Sequence, residues 1–337
     1  MATQAKRIDV HNHVIPDELL DAIAADPARF RMRIDGEGAK RKMVRAETGH
    51  AFPIVPELHD AQAKIRGLDQ RGIDMAFLSP GPMAFCYWME SDAGIEASRL
   101  INNGIARMCE ANPERLMGMG TVPMQHPDAA VAELERMVRD HGFRSMEIGT
   151  EVGEEQIADP KFRKLLRRAA ELKVFIFAHP FSWTPFCAGL STHHLNNLIG
   201  NPLGTTIMAG NLMLSGVMDE LPGLKICLAH GGGFLPYQIG RFSHGHAVRR
   251  DVSANTPTSP YDLLRRFYFD ALTHDAESLR FLIDRVGANR VTLGTDAPFD
   301  MGEDHPIDAL NQVKGLTAVE REQICCRTAL DLMGESG

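Results

Sequence analysis

From Leu58 to near the C-terminus the chain alternates short apolar runs with longer stretches whose apolar residues recur at helical spacing. The runs lie at 75–78, 116–122, 145–148, 174–178, 224–229, 267–272 and 290–293, and helices are expected near 60–71, 92–110, 129–140, 161–172, 203–214 and 276–286. Runs this short, without in-and-out alternation, suit parallel strands covered on both faces, each followed by a helix. Ile8, Asp9 and Val10, running into His11-Asn12-His13, supply one more strand ahead of them, and a terminal helical stretch at 318–333 closes or braces the array. The expected fold is α/β: a single-domain (β/α)8 TIM barrel spanning residues 1–337.

Two early segments depart from the alternation. Pro16 with Asp17 and Glu18 opens a short helix at about 15–20, since proline and acidic residues suit a first turn. Residues 26–53 are polar, and Asp35-Gly36 reads as a hairpin turn between 30–34 and 42–44, a small inserted β element or lid over the barrel mouth. Its cluster of Lys40, Arg41, Lys42 and Arg45 either draws in an acidic substrate or forms a solvated face.

Composition narrows the function classes. Lys plus Arg number 36 and Asp plus Glu 44, a net charge of −8 that argues against nucleic acid or an anionic membrane as partner. The first seven residues lack the apolar core of a signal peptide, and no uncharged run approaches the roughly 18 residues that span a bilayer, so a cytoplasmic protein is expected. The six cysteines, at 86, 109, 187, 227, 325 and 326, contain no C-x-x-C pair and fit reduced thiols.

The candidate chemistry sits at the carboxyl ends of the expected strands. On an extended strand His11 and His13 share one side and Asn12 takes the other. His179 ends the fifth strand, His230 the sixth and Asp296 the eighth, so a closed barrel brings all five to one mouth. Three histidines and a carboxylate suit a divalent ion such as zinc, which can bring the pKa of a bound water to about 7. Glu147 lies two positions before the end of the fourth strand and reads as a buried, paired carboxylate, with support of a second ion as the other option. Competing motifs fail. His230-Gly231-Gly232-Gly233 has no accompanying G-x-S-x-G elbow and no phosphate-binding fingerprint, so its glycines are expected to let backbone approach the metal pocket. His244-Gly245-His246 falls in a helix, where residues two apart diverge, and is expected at the surface.

His-x-His, the later histidine of strand five, His-Gly-Gly-Gly, and Gly-Thr-Asp-Ala-Pro-Phe at 294–299, with Leu214-Ser215-Gly216 and Ile239-Gly240-Arg241, resemble the amidohydrolase superfamily. More narrowly, nearly the whole chain resembles the branch containing aminocarboxymuconate semialdehyde decarboxylase. The resemblance implies metal ligation by His11, His13, His179 and Asp296, with His230 as the catalytic histidine and Asp296 as an additional proton shuttle. It implies that Arg241 reaches a neighbouring subunit's site to hold a substrate carboxylate, which makes a homodimer necessary, and that Phe299 faces the substrate. Phe52 stands where the branch has a second substrate arginine, and about His194 where it has a tryptophan. No lysine ends strand four, where Gly149-Thr150 sits, so one divalent ion is expected, zinc first and manganese second. The implied activity is non-oxidative decarboxylation of a small unsaturated or aromatic carboxylic acid. The other readings are a hydrolase or hydratase acting on a lactone, amide or carbon–carbon bond, and a metal-free scaffold.

Overall fold

The apolar runs become the staves of a closed parallel barrel, in a computed structural model that describes residues 6–181 and 188–334. The first strand comes in two pieces, Ile8–Asp9 and His13–Val14, both paired with the second, Met75–Pro80. Leu116–Gly118 pairs with the second strand, and a bridge between Gly120 and Met146 carries the sheet to the fourth, Ser145–Gly149. Phe175–His179, Ile226–Leu228, Tyr268–Asp270 and Val291–Thr292 follow in sequence order, every pair parallel. The ring closes between eighth and first strands: Val10 N donates to Leu293 O at 3.1 Å and His13 N to Ala297 O at 2.8 Å, with a parallel bridge from Asn12 to Ala297.

Side-chain alternation sorts the core into two layers. Inside the barrel Phe175 and Phe177 pack with Ile8, Val10, Phe77, Met119, Cys227 and Ala229, and Ala329 and Leu332 of the last helix, Thr328–Met333, plug this cluster. Ile176, Ala178 and Leu228 face outward into the larger layer beneath the surrounding helices. The helix Ala276–Val286 shows how that layer is built: Leu279, Leu282, Ile283 and Val286 form its buried stripe, and Asp275 caps it by accepting Ser278 N.

Three expectations need correction. The short helix runs Asp17–Ala25, and the terminal stretch is not one helix but Ala318–Glu322 and Thr328–Met333 joined by a π turn at Gln323–Arg327. The insertion is a three-stranded antiparallel sheet, Met32–Asp35, Lys42–Arg45 and Ala51–Pro53. Asp35-Gly36 is not its tight turn: Asp35 pairs with Lys42, so the connection spans 36–41 and contains a 3-10 turn at Gly38–Lys40, while Phe30 ends a short helix, Pro27–Phe30. The basic residues of this sheet are partly balanced by acids, Arg45 meeting Glu47 at 3.1 Å. Among the described cysteines all are free, and Cys187 lies outside the described residues. No described helix is long and apolar enough to cross a membrane.

Candidate metal centre and active site

Each strand end delivers its polar residue by a local device. Phe175, Phe177 and His179 share one face of the fifth strand, so the inward alternation that fills the barrel ends in an imidazole at its mouth. His230 and Asp296 take left-handed backbone, φ 56° and 58°, which turns each side chain off its strand. Such conformations cost a non-glycine residue of order 1–3 kcal/mol and gather at functional sites.

The five side chains meet. The imidazole of His11 lies 5.0 Å from those of His13 and His179 and 5.3 Å from that of His230, centroid to centroid. Asp296 Oδ1 stands 3.2 Å from His11 Nε2, 3.0 Å from His13 Nε2 and 4.0 Å from His179 Nε2, and its Oδ2 is 3.6 Å from His230 Nε2. Single donor atoms of His11, His179, His230 and Asp296 all lie within 4.8 Å of one another. His230 differs from the other histidines: it is partly exposed and, with Asp296, borders an open cavity of about 600 Å³, which Thr273, His274, Tyr237, Phe281 and Met301 help to line.

The donor atoms fit a metal. His11 Nε2, His13 Nε2, His179 Nε2 and Asp296 Oδ1 are buried, and no hydrogen bond from the described residues satisfies any of them, a costly arrangement unless a ligand completes it. Donors of a tetrahedral ion with bonds of roughly 2.0–2.2 Å stand about 3.3–3.6 Å apart, which the 3.0–4.0 Å separations around Asp296 Oδ1 bracket. The opposite ring nitrogens are engaged: His11 Nδ1 with Asp270 at 2.7 Å, His13 Nδ1 with Pro80 O at 3.3 Å, and His179 Nδ1 with Pro180 O at 2.6 Å. Protonation at Nδ1 leaves each Nε2 lone pair free for a cation.

Charge tells the same story. Burial takes His13 down to about 4 and, with the neighbouring imidazoles, holds His179 well below the usual histidine range, so both are neutral imidazoles at neutral pH. Burial alone would lower His11 and raise Asp296, yet Asp296 and Asp270 hold His11 well above its ordinary value, and His11 and His13 hold Asp296 well below. Two aspartates thus demand positive charge at His11, the demand a divalent ion would meet.

The remaining sequence candidates fall in different places. The Phe299 ring is 5.2 Å from His13, beside the cluster. Arg241 is exposed on the helix Leu235–Val248 and does not line the cavity of its own chain. Phe52 is half-buried in the inserted sheet, stacked on His50 at 5.4 Å, and His194 is exposed just before the π turn Asn196–Gly200. Neither borders the cavity, although Asn197 and Leu198 do. His244 is exposed and His246 bonds to Thr256 O at 2.9 Å, as befits a surface helix.

One reading changes and another gains detail. Glu147 is buried with His13 Nδ1 3.6 Å away as its pairing partner, but burial pushes its pKa up to about 8, so it is held as a neutral acid and not a carboxylate. The triple glycine is tightly packed, and Gly231 and Gly233 border the cavity beside His230 and Asp296. A Cβ at Gly232 would sit 2.6 Å from the Phe269 ring, and one at Gly233 2.1 Å from Pro202 O. Sequence reasoning also missed Asp270, whose signal was available as a carboxylate ending the seventh strand.

Comparison with known proteins follows the same lines. The Amidohydrolase family model matches residues 8–334. A 2-amino-3-carboxymuconate-6-semialdehyde decarboxylase of Dictyostelium discoideum is 29% identical over 329 residues, covering 97% of this chain and 91% of that protein. A gamma-resorcylate decarboxylase of Rhizobium sp. (strain MTP-10005) is 31% identical over 277 residues, 76% of this chain and 81% of that one. The structure of a dihydroxybenzoic acid decarboxylase from Polaromonas sp. JS666, with bound manganese and the inhibitor 2-nitroresorcinol, shares the fold at a TM-score of 0.78, with 23% identity, covering 98% of this chain and 97% of that one.

Proposed function

Since the chain belongs to the amidohydrolase family, we propose that it catalyses the metal-dependent, non-oxidative decarboxylation of a small unsaturated or aromatic carboxylic acid. The observation that carries this reading is the convergence of four unsatisfied buried donor atoms, on His11, His13, His179 and Asp296, beside a cavity that His230 borders. The relatives in Dictyostelium and Rhizobium, both decarboxylases, support the choice among the family's chemistries.

We assign a single divalent ion to His11, His13, His179 and Asp296. Three imidazoles and a carboxylate favour zinc, and manganese, bound by the Polaromonas enzyme, is the second choice. When bound, the ion supplies Lewis-acid charge that stabilises electron density developing on the substrate. The protein's residues do the rest. The carbon–carbon bond to the carboxyl group breaks with its electron pair left on the ring or chain carbon, carbon dioxide departs, and the proton that replaces it comes from His230 Nε2. Asp296 Oδ2, 3.6 Å away, orients that imidazole and takes part in returning its proton. Phe299 walls the substrate against His13. Phe52 and His194 are further candidates for substrate contact; they would act through the inserted sheet and the loop before Asn196–Gly200.

We further assign Arg241 to the active site of a second subunit, where it holds a substrate carboxylate. Tyr237, 77% exposed, and Val248, 62% exposed, share its helix face and support a subunit contact there. Mixing Arg241→Ala and His230→Ala proteins under conditions of subunit exchange is expected to restore activity that neither has alone, and no recovery would remove the shared site.

The test of the activity is stoichiometric. Metal-loaded protein, offered hydroxybenzoates, carboxymuconates and lactones, is expected to release one carbon dioxide per acid consumed and to lose that activity on chelation. Cleavage of a lactone or amide without carbon dioxide would overturn the proposal.

A further inference from the structure

The first strand changes the parity of its inward face at the point where it meets the metal centre. Ile8 and Val10 pack inside the barrel with Phe77 and Phe177. Strict alternation would continue that face with Asn12 and send the flanking histidines away. Instead the strand breaks between Ile8–Asp9 and His13–Val14, and His11 and His13 turn to the cluster, the His11 ring 4.8 Å from that of Phe177.

A buried polar network occupies the break. Asp9 Oδ1 accepts His11 N at 3.0 Å, an Asx turn, and Thr295 N at 3.1 Å. Asp9 Oδ2 accepts Asn12 Nδ2 at 2.8 Å and Thr295 Oγ1 at 2.6 Å. Asn12 Oδ1 accepts Lys64 Nζ at 2.7 Å, and the same amine donates to His13 O at 2.9 Å. Asp9, Asn12, Lys64 and Thr295 are all completely buried. The amine donates at one end and the carboxylate accepts at the other, so the Asn12 amide between them has only one satisfying orientation.

Lys64 is costly to bury, and a packing role alone would be served as well by an apolar side chain of similar length. What it touches explains the cost. Through Asn12 it fixes Asp9, and that single carboxylate sets the backbone of His11 on one side of the barrel seam and of Thr295, next to Asp296, on the other. We propose that Lys64 is a positioning residue: by way of Asn12 and Asp9 it holds His11, His13 and Asp296 in the register that lets their donor atoms share one cation. This rests on the metal reading given above. Lys64 itself does not border the cavity.

The test uses the full chain with Lys64→Met, and reads Mn²⁺ binding to metal-free protein by electron paramagnetic resonance alongside the urea midpoint of the metal-free form. The expected result is an affinity weakened by about 10–100-fold, the usual range for groups that support ligands, with a metal-free midpoint no lower than that of the parent. A folded variant whose affinity stays within about twofold of the parent overturns the proposal. Should Lys64→Met not fold, Thr295→Val, which removes one hydroxyl donor to Asp9, is judged by the same criterion of weakened against unchanged affinity. The parent protein separates the two hypotheses: if it binds no Mn²⁺ the metal reading fails and the positioning role with it, whereas a parent that binds one ion and a variant that binds it equally well removes the positioning role alone.

Discussion

Asp270 holds His11 Nδ1 at 2.7 Å and, with the same carboxylate, accepts the backbone N–H groups of His230 at 3.0 Å and Gly231 at 2.8 Å. One side chain from the seventh strand therefore fixes the tautomer of a proposed metal ligand and the seat of the proposed acid. Asp270→Asn keeps the shape but loses the carboxylate, so His11 can no longer be held with Nε2 free by a charged acceptor. Metal affinity is expected to fall about 10–100-fold, measured by competition with a chelator; an unchanged affinity would show that the ring is oriented by packing alone.

His230→Gln separates acid from ligand. Because His230 borders the cavity and faces Asp296 Oδ2 instead of Oδ1, the variant is expected to retain its ion in elemental analysis while kcat drops by about 10²–10⁴. Loss of the metal together with turnover would make His230 a ligand.

The barrel and the cluster were legible for one reason: alternating apolar runs fix strands, strand ends fix the mouth, and the polar residues at those ends then have nowhere else to go. His179 follows directly from Phe175 and Phe177. His11 and His13 were assigned the right side by the wrong argument, since the strand is broken and its parity shifts just before them. Lys64 was hidden because it sits in an amphipathic helix, where a lysine reads as solvated; its place four residues before buried Leu68 was the available clue. Glu147 misled because burial can neutralise a carboxyl as well as a partner can. The inserted sheet was misread at Asp35-Gly36 because a turn dipeptide does not fix the length of a connection.

Gly233→Ala tests the close packing of the triple glycine. At φ 64°, with Pro202 O only 2.1 Å from the position of a new Cβ, the substitution faces both a strained backbone and a backbone clash. A loss of about 1–3 kcal/mol or more is expected from urea unfolding, and a neutral effect would mean that the loop is free to move aside.

Asp219 should show up in the pH dependence of stability. Burial would raise its pKa, but hydrogen bonds from Thr256 at 2.5 Å and Thr258 at 2.6 Å hold it below the ordinary carboxylate value. A depressed folded pKa gives stability that is fully present above the unfolded value of about 3.9 and is lost as pH falls through the folded one. Asp219→Asn is therefore expected to be less stable than the parent at about pH 6, with the gap in urea midpoint closing below about pH 4. A gap that stays constant down to about pH 3 would assign its effect to something other than ionisation.

The most direct measurement is an anomalous difference map from crystals of protein loaded with manganese or zinc. A single peak is expected, about 2.0–2.2 Å from His11 Nε2, His13 Nε2, His179 Nε2 and Asp296 Oδ1, with His230 outside the coordination sphere. No peak at this position, or one whose ligands leave out His179 or Asp296, would contradict the central claim that these four side chains, from three strand ends, were brought together to hold one ion.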